Sequence, residues 1–167
     1  MKNISKLILL LFCVNFSFAQ QNKAGVAKAE IAVVLNKWHQ AAAKAEFNNY
    51  FSHMTNDAVF IGTDATENWQ LKDFKAFSKP YFDAGKAWSF TTLERNIYVS
   101  QNIAWFDELL DTQMKICRGS GVLVKVDGVW KIQHYVLSMT IPNEKVKDVI
   151  VVKEAIENKL IIKLKKK

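Results

Sequence analysis

The sequence predicts an α+β domain in which helices pack on one face of a curved antiparallel sheet. Apolar residues between Lys28 and Phe51 recur at every third or fourth position, which is the period of a buried helical stripe. From Trp88 onward the pattern changes to four consecutive strand-like segments. Helices followed by a run of strands are typical of this fold class. The 167-residue chain is half hydrophobic, as a single domain with a real core requires.

An export signal is predicted at the N-terminus. Lys2 and Lys6 precede a short apolar run from Leu7 to Val14, and Ser17 and Ala19 supply the small residues that a signal peptidase needs. The run is too short to span a bilayer. Cleavage is therefore expected after Ala19, and the mature chain is expected in the periplasm or outside the cell.

The two cysteines carry little chemistry. Cys13 lies within the predicted signal, and a lipoprotein interpretation through it is the weaker one because Phe12 precedes it where a small residue is preferred. Cleavage leaves Cys117 alone, so no internal disulfide can form. Cys117 is expected to be a small buried side chain, with a nucleophile as the alternative.

Two helices are predicted before the strands. The first runs from Lys28 to about Phe51. The second begins near Leu71, and Pro80 should end or kink it near Lys79 because proline lacks the amide donor. The buried positions of the two stripes are Ile31, Val34, Leu35, Trp38, Ala42 and Ala45 in the first, and Leu71, Phe74, Phe77 and Phe82 in the second.

A short strand, Ala58 to Ile61, separates these helices, and Pro142 ends the last strand. Asn143 can then cap a C-terminal helix. The four later strands are expected at Trp88 to Ser100, Ile103 to Leu110, Lys115 to Val126 and Val129 to Thr140. The resulting divisions are the signal (1–19), an N-terminal extension (20–27), the domain (28–142), and a C-terminal helix with a basic tail (143–167).

Two glycines in one strand indicate that something needs room beside it. A two-residue turn at Asp127-Gly128 would place Gly121 opposite His134 and Gly119 opposite Val136. Since glycine weakens a strand, the space serves either a ligand or a closely packed helix residue such as Trp38. We expect the ligand, and with it a slight gain in stability for Gly121→Ala.

The same pairing rule assigns residues to the two faces of the sheet. A turn at Thr112-Gln113 would place Glu108 opposite Cys117, on the face that carries His134. Glu108 and His134 are the candidate general base and its partner, although each could simply satisfy a neighbour. The candidate ligand-binding residues are Trp38, Trp69, Phe106, Cys117, Gly119, Gly121 and Ser138.

The opposite face is expected to carry Asp107 directly across from Arg118, with Tyr135 beside them. This pair could bind an anionic ligand, because an arginine fork matches a carboxylate. A cross-strand ion pair at a homodimer interface is the preferred interpretation.

Four segments together resemble a known family: "FIGTDATENW", "AWFDELL", "RGSGVL" and "WKIQHYVLS". They are similar to the SnoaL-like (DUF4440-type) branch of the nuclear transport factor 2 superfamily, in its secreted bacterial form. The resemblance implies a cone-shaped barrel of N-terminal helices on a strongly curved sheet, with a cavity inside and dimerisation through the outer face. Relatives often carry tryptophan, two histidines and serine along the last strand. Trp130, His134 and Ser138 match here, and Val136 departs.

The superfamily includes isomerases, cyclases, dehydratases and non-catalytic association modules, so the resemblance leaves enzyme, binding domain and assembly module open. A small, largely apolar ligand is the preferred expectation, with an isomerase, cyclase or dehydratase as the alternative. No cofactor, nucleic-acid partner or membrane span is expected.

No metal is expected either. His39 and His53 lack ligand spacing. Asp64 and Glu67 are interpreted as a helix capping box rather than a cation site. The net charge of +7 gathers partly in the C-terminal lysines, which are expected to form a solvated tail or, as the alternative, to meet acidic lipid or polymer.

Overall fold

The computed structural model describes the backbone of residues 2–166 and the side chains of residues 23–166. The predicted export signal at 1–19, with Cys13 in it, lies outside the residues whose side chains are described. Within the described part of the chain, no helix is both long and apolar enough to cross a membrane.

Three helices precede the main run of strands, and a fourth follows it. They are α1 (Lys2–Ala43), α2 (Phe47–Ser52), α3 (Leu71–Asp83) and α4 (Val146–Leu164). The single helix predicted to reach Phe51 is wrong, because the backbone turns at Ala45, whose φ is 54°. Pro80 does not end α3, which continues to Asp83 and stops before Gly85 at a φ of 65°.

Six strands form one sheet in the order β2-β1-β6-β5-β4-β3. They are β1 (Met54–Ile61), β2 (Asn68–Gln70), β3 (Thr91–Ser100), β4 (Ile103–Thr112), β5 (Lys115–Val126) and β6 (Val129–Met139). The predicted α+β class and curved sheet are confirmed. All neighbouring strands are antiparallel except β1 and β6, which run parallel, so the sheet is mixed.

Strand β2 replaces part of the predicted capping turn. Helix α3 begins only after β2, so Asp64 and Glu67 do not cap it. They close a tight turn instead: the amide of Asp64 donates to the Glu67 carboxylate at 3.2 Å, and the amide of Thr66 donates to Asp64 Oδ1 at 2.8 Å. This turn allows β2 to fold back on β1.

The register of the β5–β6 hairpin decides which side chains enter the cone. The Asp127-Gly128 turn is confirmed, with positive φ at both residues and Val126 opposite Val129. A bulge then leaves Gln133 without a partner in β5, so Gly121 lies opposite Tyr135 instead of His134. One extra residue exchanges the two faces of a strand.

The β4–β5 hairpin turns at Gln113-Met114, one residue later than predicted, and Thr112 pairs with Lys115. Each β4 residue therefore lies opposite a β5 residue two positions further along the chain than predicted. Glu108 is therefore opposite Gly119 and not Cys117. A shift of two residues keeps every side chain on its predicted face, so Glu108 still points to the concave side.

The core lies between α1, α2, α3 and the concave face of the sheet. Its largest fully buried side chains include Trp38, Tyr50, Phe74 and Tyr135. These aromatic side chains fill the space between the helices and the sheet.

Candidate functional site

A buried carboxylate, Glu108 of β4, is the centre of the polar groups inside the cone. Only 1% of its surface is exposed. Arg95 lies directly opposite it on β3, and the Arg95 Nε and Nη2 atoms are 2.8 and 2.7 Å from Glu108 Oε2. Both nitrogens contact the same carboxylate oxygen, and such charge-assisted contacts are stronger than hydrogen bonds between neutral groups.

The other oxygen of Glu108 has two further partners. His39 of α1 places its Nε2 atom 2.8 Å from Oε1, and the hydroxyl of Tyr135 donates to the same oxygen at 3.2 Å. Since a carboxylate only accepts, His39 Nε2 carries the donated hydrogen. We call His39, Arg95, Glu108 and Tyr135 the Glu108 cluster.

The Glu108 cluster is anchored at its outer end as well. Arg95 Nη1 donates to Asn36 Oδ1 at 2.7 Å, and Nη2 donates to Thr92 Oγ1 at 2.9 Å. Because Asn36 and His39 both belong to α1, the cluster joins that helix to the middle of the sheet. It therefore fixes where α1 crosses the cone.

The protonation of Glu108 follows from these contacts. Burial by itself would raise its pKa, but the hydrogen bond and charge of His39 and the charge of Arg95 hold the pKa of Glu108 below its usual range. Burial and the nearby Glu108 charge raise the pKa of Tyr135 well above its usual value. Glu108 is thus ionised and Tyr135 neutral at neutral pH.

The predicted pairing of Glu108 with His134 is wrong. Tyr135 is fully buried in the cone, and by strand alternation His134 lies half-buried on the outer face, where it pairs with Val122 and Val59. Ser138 is exposed on the same outer face. The bulge at Gln133 causes both errors, because it reverses the faces for the rest of β6.

The two glycines make room for side chains of the domain itself. A Cβ on Gly119 would overlap the hydroxyl of Tyr135, and one on Gly121 would overlap the backbone oxygen of His134 and lie 2.8 Å from Phe106 Cε1. The space predicted to hold a ligand, or Trp38, is thus occupied by Tyr135, Phe106 and the bulged backbone. This overturns the expected gain in stability for Gly121→Ala.

Gly121→Ala is expected to lower the free energy of unfolding by about 1–3 kcal/mol, because the methyl group must displace backbone rather than a flexible side chain. Urea denaturation measures this change in the free energy of unfolding. Gly25→Ala is the matched control, since a Cβ there has nothing within 4 Å. Equal stability of the Gly121→Ala variant and the native chain would contradict the close packing.

Aromatic rings close the inside of the cone above the Glu108 cluster. The ring of Trp38 lies 5.1 Å from that of His39, 5.0 Å from that of Tyr50 and 4.8 Å from that of Tyr135, centroid to centroid. Trp38, Phe106 and Cys117 are buried core residues. They are predicted to touch a ligand, but none of them lines the pocket described next.

A pocket with a volume of about 130 Å³ opens beside β2 and α3. Of the predicted ligand-binding residues, only Trp69 lines it. Its ring stacks on Phe77, with centroids 4.2 Å apart. We call this space the mouth pocket; its aromatic walls are Phe60, Trp69, Phe74, Phe77, Trp88 and Phe90, and Thr63, Glu67 and Gln113 add polar groups.

Residues 31–142, more than half of the chain, match the family described as SnoaL-like domain. The chain belongs to the SnoaL-like domain family. The comparison with curated proteins finds no match.

Solved structures similar to this SnoaL-like domain share the NTF2-like fold at low sequence identity. One is an NTF2-like protein of unknown function from Pseudomonas putida, with a TM-score of 0.62, 15% identity, and coverage of 73% of this chain and 92% of that one. Another, from Streptomyces avermitilis, is a candidate dehydratase of the NTF2-like family, with a TM-score of 0.60 and 9% identity. The match covers 68% of this chain and 96% of that one. The association domain of C. elegans CaMKII has a TM-score of 0.59 and 19% identity, and the match covers 71% of this chain and 99% of that domain.

The outer face of the SnoaL-like domain differs from the prediction. Asp107 lies opposite Ser120, and Arg118 lies opposite Leu109, so the expected ion pair between them does not form. Asp107 instead accepts a hydrogen bond from Asn96 at 3.1 Å. The third residue assigned to this face, Tyr135, is in the core. The two-residue change in the β4–β5 pairing separates the pair.

Proposed function

We propose that this SnoaL-like domain binds a small, largely apolar molecule in the mouth pocket. The observation that carries the proposal is a concave space lined by aromatic side chains, two of which, Trp69 and Trp88, are only half-buried. Ligand sites are typically apolar clefts with a few polar groups that set orientation. Thr63, Glu67 and Gln113 can supply those groups.

The size of the mouth pocket restricts the ligand. Pockets for drug-sized molecules measure about 300–1,000 Å³, whereas the mouth pocket holds about 130 Å³. It can enclose one small ring or the end of a longer molecule. The rest of such a molecule would lie in the adjoining open groove of about 570 Å³, which shares Phe77, Trp88 and Gln113 with the pocket.

The geometry of Glu108 favours binding over catalysis. Both of its oxygens accept hydrogen bonds from residues of the domain, and its lowered pKa makes it a poor proton acceptor. Glu108 is also absent from the walls of the mouth pocket. An isomerase, cyclase or dehydratase using Glu108 or His134 as base would need these groups beside a substrate.

Trp69→Ala is expected to weaken ligand binding by about tenfold or more, because a stacked aromatic wall is lost. The measurement is a thermal-shift and fluorescence titration with small ring compounds, beginning with indole, phenol and cyclohexanol. Leu93→Ala, which removes an exposed apolar side chain that does not line the mouth pocket, is the control. Binding that survives Trp69→Ala unchanged, or no binding of any compound, would refute the mouth pocket as a site.

A second proposed function is assembly of a homodimer through the outer face. Tyr98 and Trp105 are 45% and 47% exposed, and their rings stack with centroids 5.8 Å apart. They form one cross-strand row with Val122 and His134. Adjacent exposed aromatic rings are typical of interface cores, and one structural neighbour is an association domain.

Trp105→Glu is expected to convert a dimer to a monomer, because it places a charge in the centre of the proposed contact. Sedimentation velocity measures the mass. Val33→Glu, at an exposed position on α1, is the control and should leave the dimer intact. A native chain that stays monomeric at high concentration would rule out this interface.

A further inference from the structure

Helix α4 contributes no side chain to the core of the domain. Among the described residues, its main contacts are with the 3-10 turn Asn143–Lys145 just before it, and none of its 19 residues is buried. Ile150 is 53% exposed and Ile156 74% exposed. Soluble domains rarely leave so much aliphatic surface in water unless it binds something.

Six aliphatic residues of α4, together with Val146 at its first position, share one side of the helix, whereas Val151, Val152 and Ile162 lie outside it. At about 100° per residue, the six fall within about 140° of its circumference. Two charged residues, Lys153 and Glu157, interrupt this side, and they pair with each other at 2.8 Å. The six residues, which we call the α4 apolar side, are Val149, Ile150, Ile156, Leu160, Ile161 and Leu164.

The last nine residues add a strong positive charge to the same helix. Lysine occupies positions 159, 163, 165, 166 and 167, and no acidic residue occurs after Glu157. Leucine or isoleucine occupies positions 160, 161, 162 and 164 among these lysines. Long lysine side chains can extend past an apolar surface and keep their ammonium groups in a polar layer.

These two properties together select the partner. A second copy of α4 packed in parallel would bring two clusters of five lysines together, and like charges oppose that contact. A soluble polyanion would engage the lysines but leave the apolar side in water. An anionic bilayer surface accommodates both, because its headgroups attract lysine and its acyl boundary takes up aliphatic side chains.

We propose that α4 docks on anionic lipid membranes, lying in the surface plane with its apolar side toward the acyl chains. Helix α4 does not span the bilayer, in agreement with the lack of a membrane-spanning helix in the described part of the chain. The attachment at Asn143 places the helix after the last strand, so the domain stays in water beside the membrane.

Cosedimentation with vesicles tests the proposal, using phosphatidylcholine with and without about 30% phosphatidylglycerol. We expect the chain to bind the anionic vesicles at least about tenfold more tightly, and added salt to weaken that binding. Ile156→Glu should reduce binding to the anionic vesicles by about tenfold or more, since it places a charge on the apolar side.

Val151→Glu is the matched control, because Val151 is 72% exposed on the opposite side of the same helix and receives the same charge. Its binding should change less than about threefold, since its carboxylate faces water. All variants keep residues 1–22, so any contribution of that segment to lipid binding is common to them.

Three outcomes would overturn the proposal. The first is binding that is absent or equal on both kinds of vesicle. The second is Ile156→Glu and Val151→Glu behaving alike, which would mean simple charge attraction. The third is a dimer in solution that Ile156→Glu dissociates, which would mean that a second copy covers α4. Circular dichroism of both variants verifies that α4 stays helical.

Discussion

Glu108→Gln is expected to lower the free energy of unfolding by about 3–5 kcal/mol, although the two side chains have nearly the same size. Arg95 has only 8% of its side-chain surface exposed, and His39 only 6%. Removing the carboxylate charge leaves the guanidinium buried without its counterion. The new amide also directs hydrogens toward groups that already donate to that position.

Urea denaturation of the native chain and the variant gives the difference. Asp107→Asn makes the same chemical change at the neighbouring residue, whose side chain is only half-buried on the outer face, and should cost within about 0.5 kcal/mol. A Glu108→Gln variant as stable as Asp107→Asn would mean that the Glu108 cluster contributes little to holding α1 on the sheet.

The effect of Glu108 should also depend on pH. Its pKa in the folded domain lies below the ordinary value of 4.5, so the unfolded chain takes up a proton more readily. The stabilisation is therefore complete above that ordinary value and is lost as pH falls through the lower folded pKa. Denaturation curves of the native chain and Glu108→Gln should approach each other in acid, and a difference that grows in acid would contradict this sign.

Trp38→Ala is the second large effect, at about 3–5 kcal/mol of unfolding free energy. Trp38 is 1% exposed and packs against His39, Tyr50 and Tyr135 at once. Its removal leaves a cavity beside the Glu108 cluster that fixed strands cannot close. Thermal and urea denaturation of the purified variant measure the loss.

Two further variants isolate the contribution of packing at Trp38. Trp38→Phe retains an aromatic ring and removes an indole N–H that has no hydrogen-bond partner among the described residues, so it should cost much less than Trp38→Ala. Leu93→Ala removes an apolar side chain at a position that is 56% exposed, and a change within about 0.5 kcal/mol is expected. If Trp38→Ala unfolds no more easily than Leu93→Ala, Trp38 does not support the core.

The fold was predictable because periodicity and turn chemistry act locally. The helical stripe through Trp38 and the Asp127-Gly128 turn are both read directly from neighbouring residues, and both occur in the structure. The bulge at Gln133 could not be predicted in this way, since it depends on how β6 meets both β5 and β1. That single residue decides whether His134 or Tyr135 enters the cone.

Part of the Glu108 cluster could be predicted from the sequence. Leu35, Trp38, His39 and Ala42 have the spacing of one buried helical side, which places His39 inside. A two-residue turn at Gln101-Asn102 likewise puts Arg95 opposite Glu108. The mouth pocket was harder to predict from the sequence, because Trp69 and Trp88 meet there only through the arrangement of β2, α3 and the segment before β3. The export signal stays a prediction.

The parallel pair β1–β6 also has a consequence for the order of folding. Strands β3 to β6 follow one another through short turns, so their pairing is local and can form early. Strand β1, in contrast, must wait for a partner more than seventy residues further along the chain, as the pair Phe60 and Tyr135 shows. Until β6 has been synthesised, β1 exposes an unpaired strand edge, which is a site for wrong pairing with other chains. A chain shortened before Val129 would keep that exposed edge permanently and would be expected to aggregate rather than form a smaller stable domain.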